Sequence, residues 1–184
     1  MMKTFAKAMV LVLGLWATLA TQVVAQDKTL VMAMSATPKG FDPDIWVPGQ
    51  IEAAVNLYEG LTRYGTRTGA NGKLEVDPSK IEPHLAESWT VSPDGKTYTF
   101  KLKPNVTWHD GKPFTSADVV FSADVFLRKT HARLRSSLAA IDSITAPDAT
   151  TVVFKLKYTF GPFMGLFETG TMPMVPKHIY ENTD

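Results

Sequence analysis

Cysteine is absent from this 184-residue sequence. That excludes a disulfide scaffold, a Cys-ligated zinc or iron–sulfur centre, a thiol nucleophile and an acylated lipoprotein N-terminus. An excess of charge of either sign is absent too. Lys and Arg total 19 against 18 Asp and Glu, a formal net charge of +1. Nucleic-acid affinity rests on many Lys and Arg contacts to phosphate, so a surface this balanced is a poor polyanion binder. Glycine and proline, 12 each, stay near ordinary usage, which excludes collagen-like and low-complexity chains. With 45% hydrophobic and 20% charged residues, the composition suits one or two globular domains.

The apolar stretch Ala8–Ala20 is too short for a membrane anchor. Its 13 residues span about 20 Å as a helix, against a hydrocarbon core of about 30 Å. Lys3 and Lys7 precede it, and a small-residue site ending Val23-Val24-Ala25 follows. Positive, apolar and cleavable regions in that order predict a secretory signal peptide over residues 1–25, cut after Ala25. The mature part, 26–184, is then an exported and nearly neutral chain. A Cys-free exported chain suits the periplasm of a double-membraned bacterium.

Catalytic motifs are missing as well. The histidines His84, His109, His131 and His178 pair at neither i+3 nor i+4, and no H-E-x-x-H occurs, so a helix-borne metal site has no support. No G-x-S-x-G elbow, phosphate loop or G-x-G-x-x-G is present. His109, before Asp110-Gly111-Lys112, reads as a turn residue. Glu59, Glu82, Glu87, Asp110 and Asp118 show no spacing that makes an acid/base pair and read as surface or capping carboxylates. A secreted hydrolase needs a nucleophile, a base and an orienting group, and four scattered histidines offer no such set. The residues therefore predict no catalysis, no cofactor and no metal.

What is present is a chain of short elements. Lys28–Met34 reads as a strand buried on both faces, and Ser35–Gln50, with three prolines and two glycines, as an irregular segment. Gln50–Leu61 has helical spacing, with Gly60 as its stop. Leu61–Tyr64 is a strand candidate, and Thr66–Pro78 a loop or hairpin tip. Ser92–Lys103 (SPDGKTYTFKLK) and Ala146–Lys157 (APDATTVVFKLK) match at seven of twelve positions. Each places a Pro-Asp turn before period-2 alternation. Tyr98, Phe100 and Leu102 share one face; Val152, Phe154 and Leu156 share another. Two copies are too few for a repeat architecture, so both read as amphipathic hairpin strands of similar sheets.

Thr115 as N-cap, Asp118 three residues on, and Phe114 with Val119 as a staple start a helix that runs to about Arg128. Ala132–Ala140, Pro162–Glu168 and Pro176–Tyr180 read as further short helical pieces. The fold class is α/β, in mixed α+β form. Trp89 and Trp108 flank hairpin strands and read as core. Trp46 sits in the Pro/Gly segment, where its ring either faces a cleft or plugs a loop.

Pro83–Ser122 (PHLAESWTVSPDGKTYTFKLKPNVTWHDGKPFTSADVVFS) resembles the signature region of the extracellular solute-binding protein family 5, the receptors of peptide/nickel-type ABC transporters. Phe41-Asp42-Pro43 stands where that family has Leu-Asp-Pro. Asn56–Leu61 (NLYEGL) matches its N-x-Y/F-E-G-L helix end, and Val175–Glu181 (VPKHIYE) its V-P-K-H-I-Y-E segment. The resemblance implies a two-lobed periplasmic binding fold of type II, cluster C-like, that captures a small solute between lobes and delivers it to ABC permease subunits in the inner membrane. It implies a monomer that binds no nucleic acid, with an oligopeptide or dipeptide as the foremost solute class. Members run to about five hundred residues, so 26–184 is expected to be an N-terminal third. The second lobe and the returning strands that complete the first are then expected to be missing, as in a fragment or a truncated product. By the same resemblance the ligand cleft draws on Trp46, Val47, Gln50 and Ile51, on Arg133 and Arg135, and on Thr169, Gly170, Thr171 and Met172. The arginines either meet a ligand carboxylate or form a solvated basic face. Peptide, nickel chelate, opine and sugar all remain open as ligands.

Overall fold

The first described strands form a hairpin: β1 (Thr62–Thr68) pairs antiparallel with β2 (Leu74–Pro83). The computed structural model describes residues 55–131 and 134–182. The signal-peptide reading, the Lys28–Met34 strand and the 35–50 segment lie outside them. The next strands are β3 (Ala86–Val91), β4 (Thr97–Leu102), β5 (Ile141–Asp148) and β6 (Thr151–Leu156). They make one antiparallel sheet in the order β3-β4-β6-β5.

The two look-alike segments therefore belong to one sheet, where the sequence suggested two similar ones. Their strands are its central neighbours, with Tyr98 opposite Phe154 and Phe100 opposite Val152. Because pairing aligns the alternations, Tyr98, Phe100, Leu102, Val152, Phe154 and Leu156 all fall on one buried face. Phe163 and Phe167 close over that face. Phe167 lies 4.6 Å from Phe100 and 5.0 Å from Phe154, and Tyr98 lies 4.7 Å from Phe163, ring centre to ring centre. Each buried ring removes enough apolar surface to stabilise the fold by about 1.5–3 kcal/mol.

The turns follow from their residues. Gly95 takes φ of 66°, which glycine adopts without a Cβ penalty. Its N–H donates to the Ser92 carbonyl at 2.8 Å, and the Lys96 N–H donates to Asp94 Oδ1 at 3.1 Å. Asp148 does the corresponding work before β6. Its carboxylate accepts from the Thr150 N–H at 2.8 Å and from the Thr150 and Thr151 hydroxyls at 3.0 and 2.7 Å. These bonds hold its pKa down at about 2.

Thr66–Pro78 is mostly strand; only residues 69–73 form the tip. Polar composition concealed the strands because this arm has no buried face: Leu74 and Val76 point outward, 75% and 61% exposed. Trp89 and Trp108 are half-buried and pack against the core's margin.

Helix α1 (Ser116–Val120) starts at Thr115 as its box predicts. It continues through a wider π-helical turn, Phe121–Phe126, into α2 (Leu127–Thr130), two residues past the expected end. At the start of that turn the Ser122 hydroxyl donates to the Asp118 carbonyl at 2.7 Å, competing for a carbonyl that an α-helix reserves for a backbone N–H. α3 (Leu134–Leu138) is shorter than its sequence pattern. Gly161–Phe167 is a 3₁₀ helix with Pro162 in its first turn, and α4 is Lys177–Tyr180. A mixed α/β fold results.

Candidate functional site

Gly60 is where two distant stretches meet. A Cβ there would lie 2.3 Å from the Phe167 carbonyl oxygen and 2.7 Å from the Thr169 nitrogen. Only glycine permits that approach, so the expected helix stop is in fact a backbone crossing, and described helix ends at Leu57. The Gly60 N–H donates to Thr169 Oγ1 at 3.0 Å, the Met174 N–H to the Glu59 carbonyl at 2.9 Å, and Thr62 bridges Glu168 in parallel.

Glu168 braces the loop that follows. Its carbonyl accepts from the Thr171 and Met172 N–H groups at 3.0 and 2.9 Å. Its carboxylate accepts from the Gly170 N–H at 2.8 Å and from the Thr171 hydroxyl. Three of the expected cleft residues, Thr169, Gly170 and Thr171, thus stand half-buried on a hydrogen-bonded loop against Gly60. Met172 is wholly buried in the core and shows no surface to a ligand. Arg135 is exposed, and its guanidinium donates to the Lys129 carbonyl at 3.2 Å. Trp46, Val47, Gln50, Ile51 and Arg133 lie outside the described residues.

A groove of about 800 Å³ opens along the same backbone, lined by Tyr58, Glu59, Leu85, Trp108, Ile179 and Tyr180 among others. Two histidine–carboxylate pairs border it. His84 Nε2 sits 3.0 Å from Glu59 Oε1, and His178 Nε2 2.7 Å from Asp110 Oδ2. Burial lowers the His84 pKa, against the opposing pull of Glu59. The bond from His178, with a second from the Lys112 N–H, holds the Asp110 carboxyl below its ordinary range. The Tyr58 and Tyr180 hydroxyls are 3.2 Å apart. Sequence reasoning missed both pairs: their partners are 25 and 68 residues apart, and no local pattern announces such contacts. Among the described residues no group of three or more His, Asp and Glu could hold a metal ion, and no helix is long and apolar enough to cross a membrane.

Comparison with known proteins points one way. The sequence model of the bacterial extracellular solute-binding proteins, family 5 Middle, matches residues 80–184. The dipeptide-binding protein of Escherichia coli K12 is 38% identical over 107 residues, 54% of this chain and 18% of its own. Di/tripeptide-binding protein 2 of Pseudomonas aeruginosa UCBPP-PA14 is 33% identical over 165 residues, 77% of this chain and 29% of its own. Among solved structures, the binding protein MoaA of A. tumefaciens R10, in complex with mannopinic acid, superposes with a TM-score of 0.65 at 30% identity. That match covers 77% of this chain and 28% of MoaA. The chain spans 18 to 29% of the length of these relatives.

Proposed function

We propose that this chain, which belongs to the family 5 bacterial extracellular solute-binding proteins, is part of the substrate-binding component of an ABC importer. The family match over residues 80–184 carries the reading. The relatives named for dipeptides and tripeptides favour a short peptide or similar small solute over a nickel chelate or a sugar. In this reading the chain is exported to the periplasm, captures its solute in a cleft and delivers it to a membrane permease. Thr169, Gly170 and Thr171 supply one wall. The hydrogen bonds that brace them support that role, because a preordered loop loses little entropy when a ligand arrives. Trp46, Val47, Gln50 and Ile51 supply another, with Arg133 and Arg135 at the margin.

A site shared between two lobes buries 70–90% or more of a drug-sized ligand, and one lobe leaves roughly half of it wet. Affinity is the surplus left after the costs of association, so it falls disproportionately when half the contacts go. Titration calorimetry of residues 1–184 with di- and tripeptides should therefore give no binding below about millimolar, a free energy of roughly 4 kcal/mol. A chain extended to the relatives' length should bind one of these classes far more tightly. Micromolar binding by the 184-residue chain would overturn the shared-cleft reading. Failure of the extended chain to bind any short peptide would overturn the solute class.

A further inference from the structure

We propose that the groove beside Tyr58 and Trp108 binds a small apolar solute carrying one cationic nitrogen. At about 800 Å³ it has the size of an ordinary small-molecule site. Leu57, Leu85, Val106, Phe114, Pro176 and Ile179 give the wall much apolar surface, so they favour a ligand with hydrocarbon or ring surface. Tyr58, Trp108 and Tyr180 add electron-rich rings, which attract cations electrostatically.

The lining carries two carboxylates and one histidine, His109, and the Lys112 charge acts on Asp110 from outside it. Glu59 and Asp110 are its carboxylates, and no Lys or Arg stands among the described lining residues. Each carboxylate already meets one histidine nitrogen, which leaves further acceptor sites on both groups. A positive group brings the complement that wall lacks, whereas an anion meets two carboxylates. The Trp108 indole N–H is buried without a partner among the described residues, on a ring that lines the groove. The site draws on residues apart from the Thr169–Thr171 loop and does not depend on transport.

The test uses the 184-residue chain and two probes of one ring and opposite charge, benzyltrimethylammonium and benzenesulfonate. Binding is followed through the indole N–H resonance of Trp108, assigned with Trp108→Phe. Two exposed carboxylates at about threefold each should make the cation bind roughly tenfold more tightly than the sulfonate. Glu59→Gln with Asp110→Asn should abolish that preference while the thermal melt stays cooperative. If the double variant does not fold, the wild-type chain decides. Raising salt from about 0.02 to about 0.5 M should erase most of a charge-based preference between the probes. Equal affinities, a preference for the sulfonate, a preference that survives both the variant and the salt, or no saturation by the cation would each refute the site.

Discussion

Replacing Asp118 by alanine should cost this fold more than removing the threonine it caps with. The carboxylate is 5% exposed and serves two segments at once. Oδ2 accepts from the Thr115 N–H at 2.8 Å and from the Thr115 hydroxyl at 3.1 Å. Oδ1 accepts from the Lys177 N–H at 2.9 Å, across 59 residues of sequence. Asp118→Ala leaves two backbone donors without an acceptor, at about 1–3 kcal/mol each when buried. Lys177 is exposed, so water recovers part of its share. The expected loss is about 2–4 kcal/mol, or roughly 5–15 °C in melting temperature. Thr115→Ala removes only a hydroxyl and should cost about 1 kcal/mol. Asp118→Asn keeps one acceptor oxygen and should fall between. Urea and thermal melts followed by far-ultraviolet circular dichroism rank the three. If Thr115→Ala costs as much as Asp118→Ala, or Asp118→Ala costs less than Thr115→Ala, the shared-carboxylate reasoning is wrong.

Gly60→Ala should destabilise the chain by about 1–3 kcal/mol in the same melts, since its methyl meets fixed backbone rather than a movable side chain. Asp148 should titrate near pH 2 in the folded chain, against 3.8 unperturbed. Its lowered pKa means its stabilising effect is complete above the unperturbed value and is lost as pH falls from there through about 2. Carboxyl-carbon resonances followed with pH, with Asp148→Asn as the control, check this. Expression with export should yield a periplasmic chain that begins at Gln26 by mass spectrometry; an intact Met1 form in the membrane fraction would count against cleavage after Ala25.

The legible parts of the fold were those whose signal is local. The Thr115–Asp118 box marked a helix start because capping chemistry lies within four residues. The alternation of Tyr98, Phe100 and Leu102 marked a buried face because one strand carries the whole pattern. Which strand lies beside which was not legible, since period 2 fixes a face but names no partner. The strands within 66–78 escaped because that stretch has no buried face, so hydrophobic alternation had nothing to report, whereas the start of β1, where Thr62 is buried, was already a strand candidate. At the site, the motif Glu59-Gly60-Leu61 was visible, but its reason was not. Gly60 is required by Phe167 and Thr169, more than a hundred residues away. The expected cleft residues Thr169–Thr171 came from resemblance, while the paired carboxylates around the groove depend on tertiary contacts that sequence spacing leaves silent.

The pairing of β4 with β6 also sets an order of events during synthesis. The β1–β2 and β3–β4 hairpins are local and can close in microseconds once their residues have emerged. The sheet's central seam cannot. Lys101 meets Thr151 across 50 residues, and the rings of Phe163 and Phe167 that seal the seam come later still. Until then Tyr98, Phe100 and Leu102 have β3 on one side only and no lid, and non-local pairing of this kind folds slowly. A growing chain halted before Thr151 holds hairpins without a core. That delay leaves the apolar faces of the early hairpins open to water until the later strands arrive.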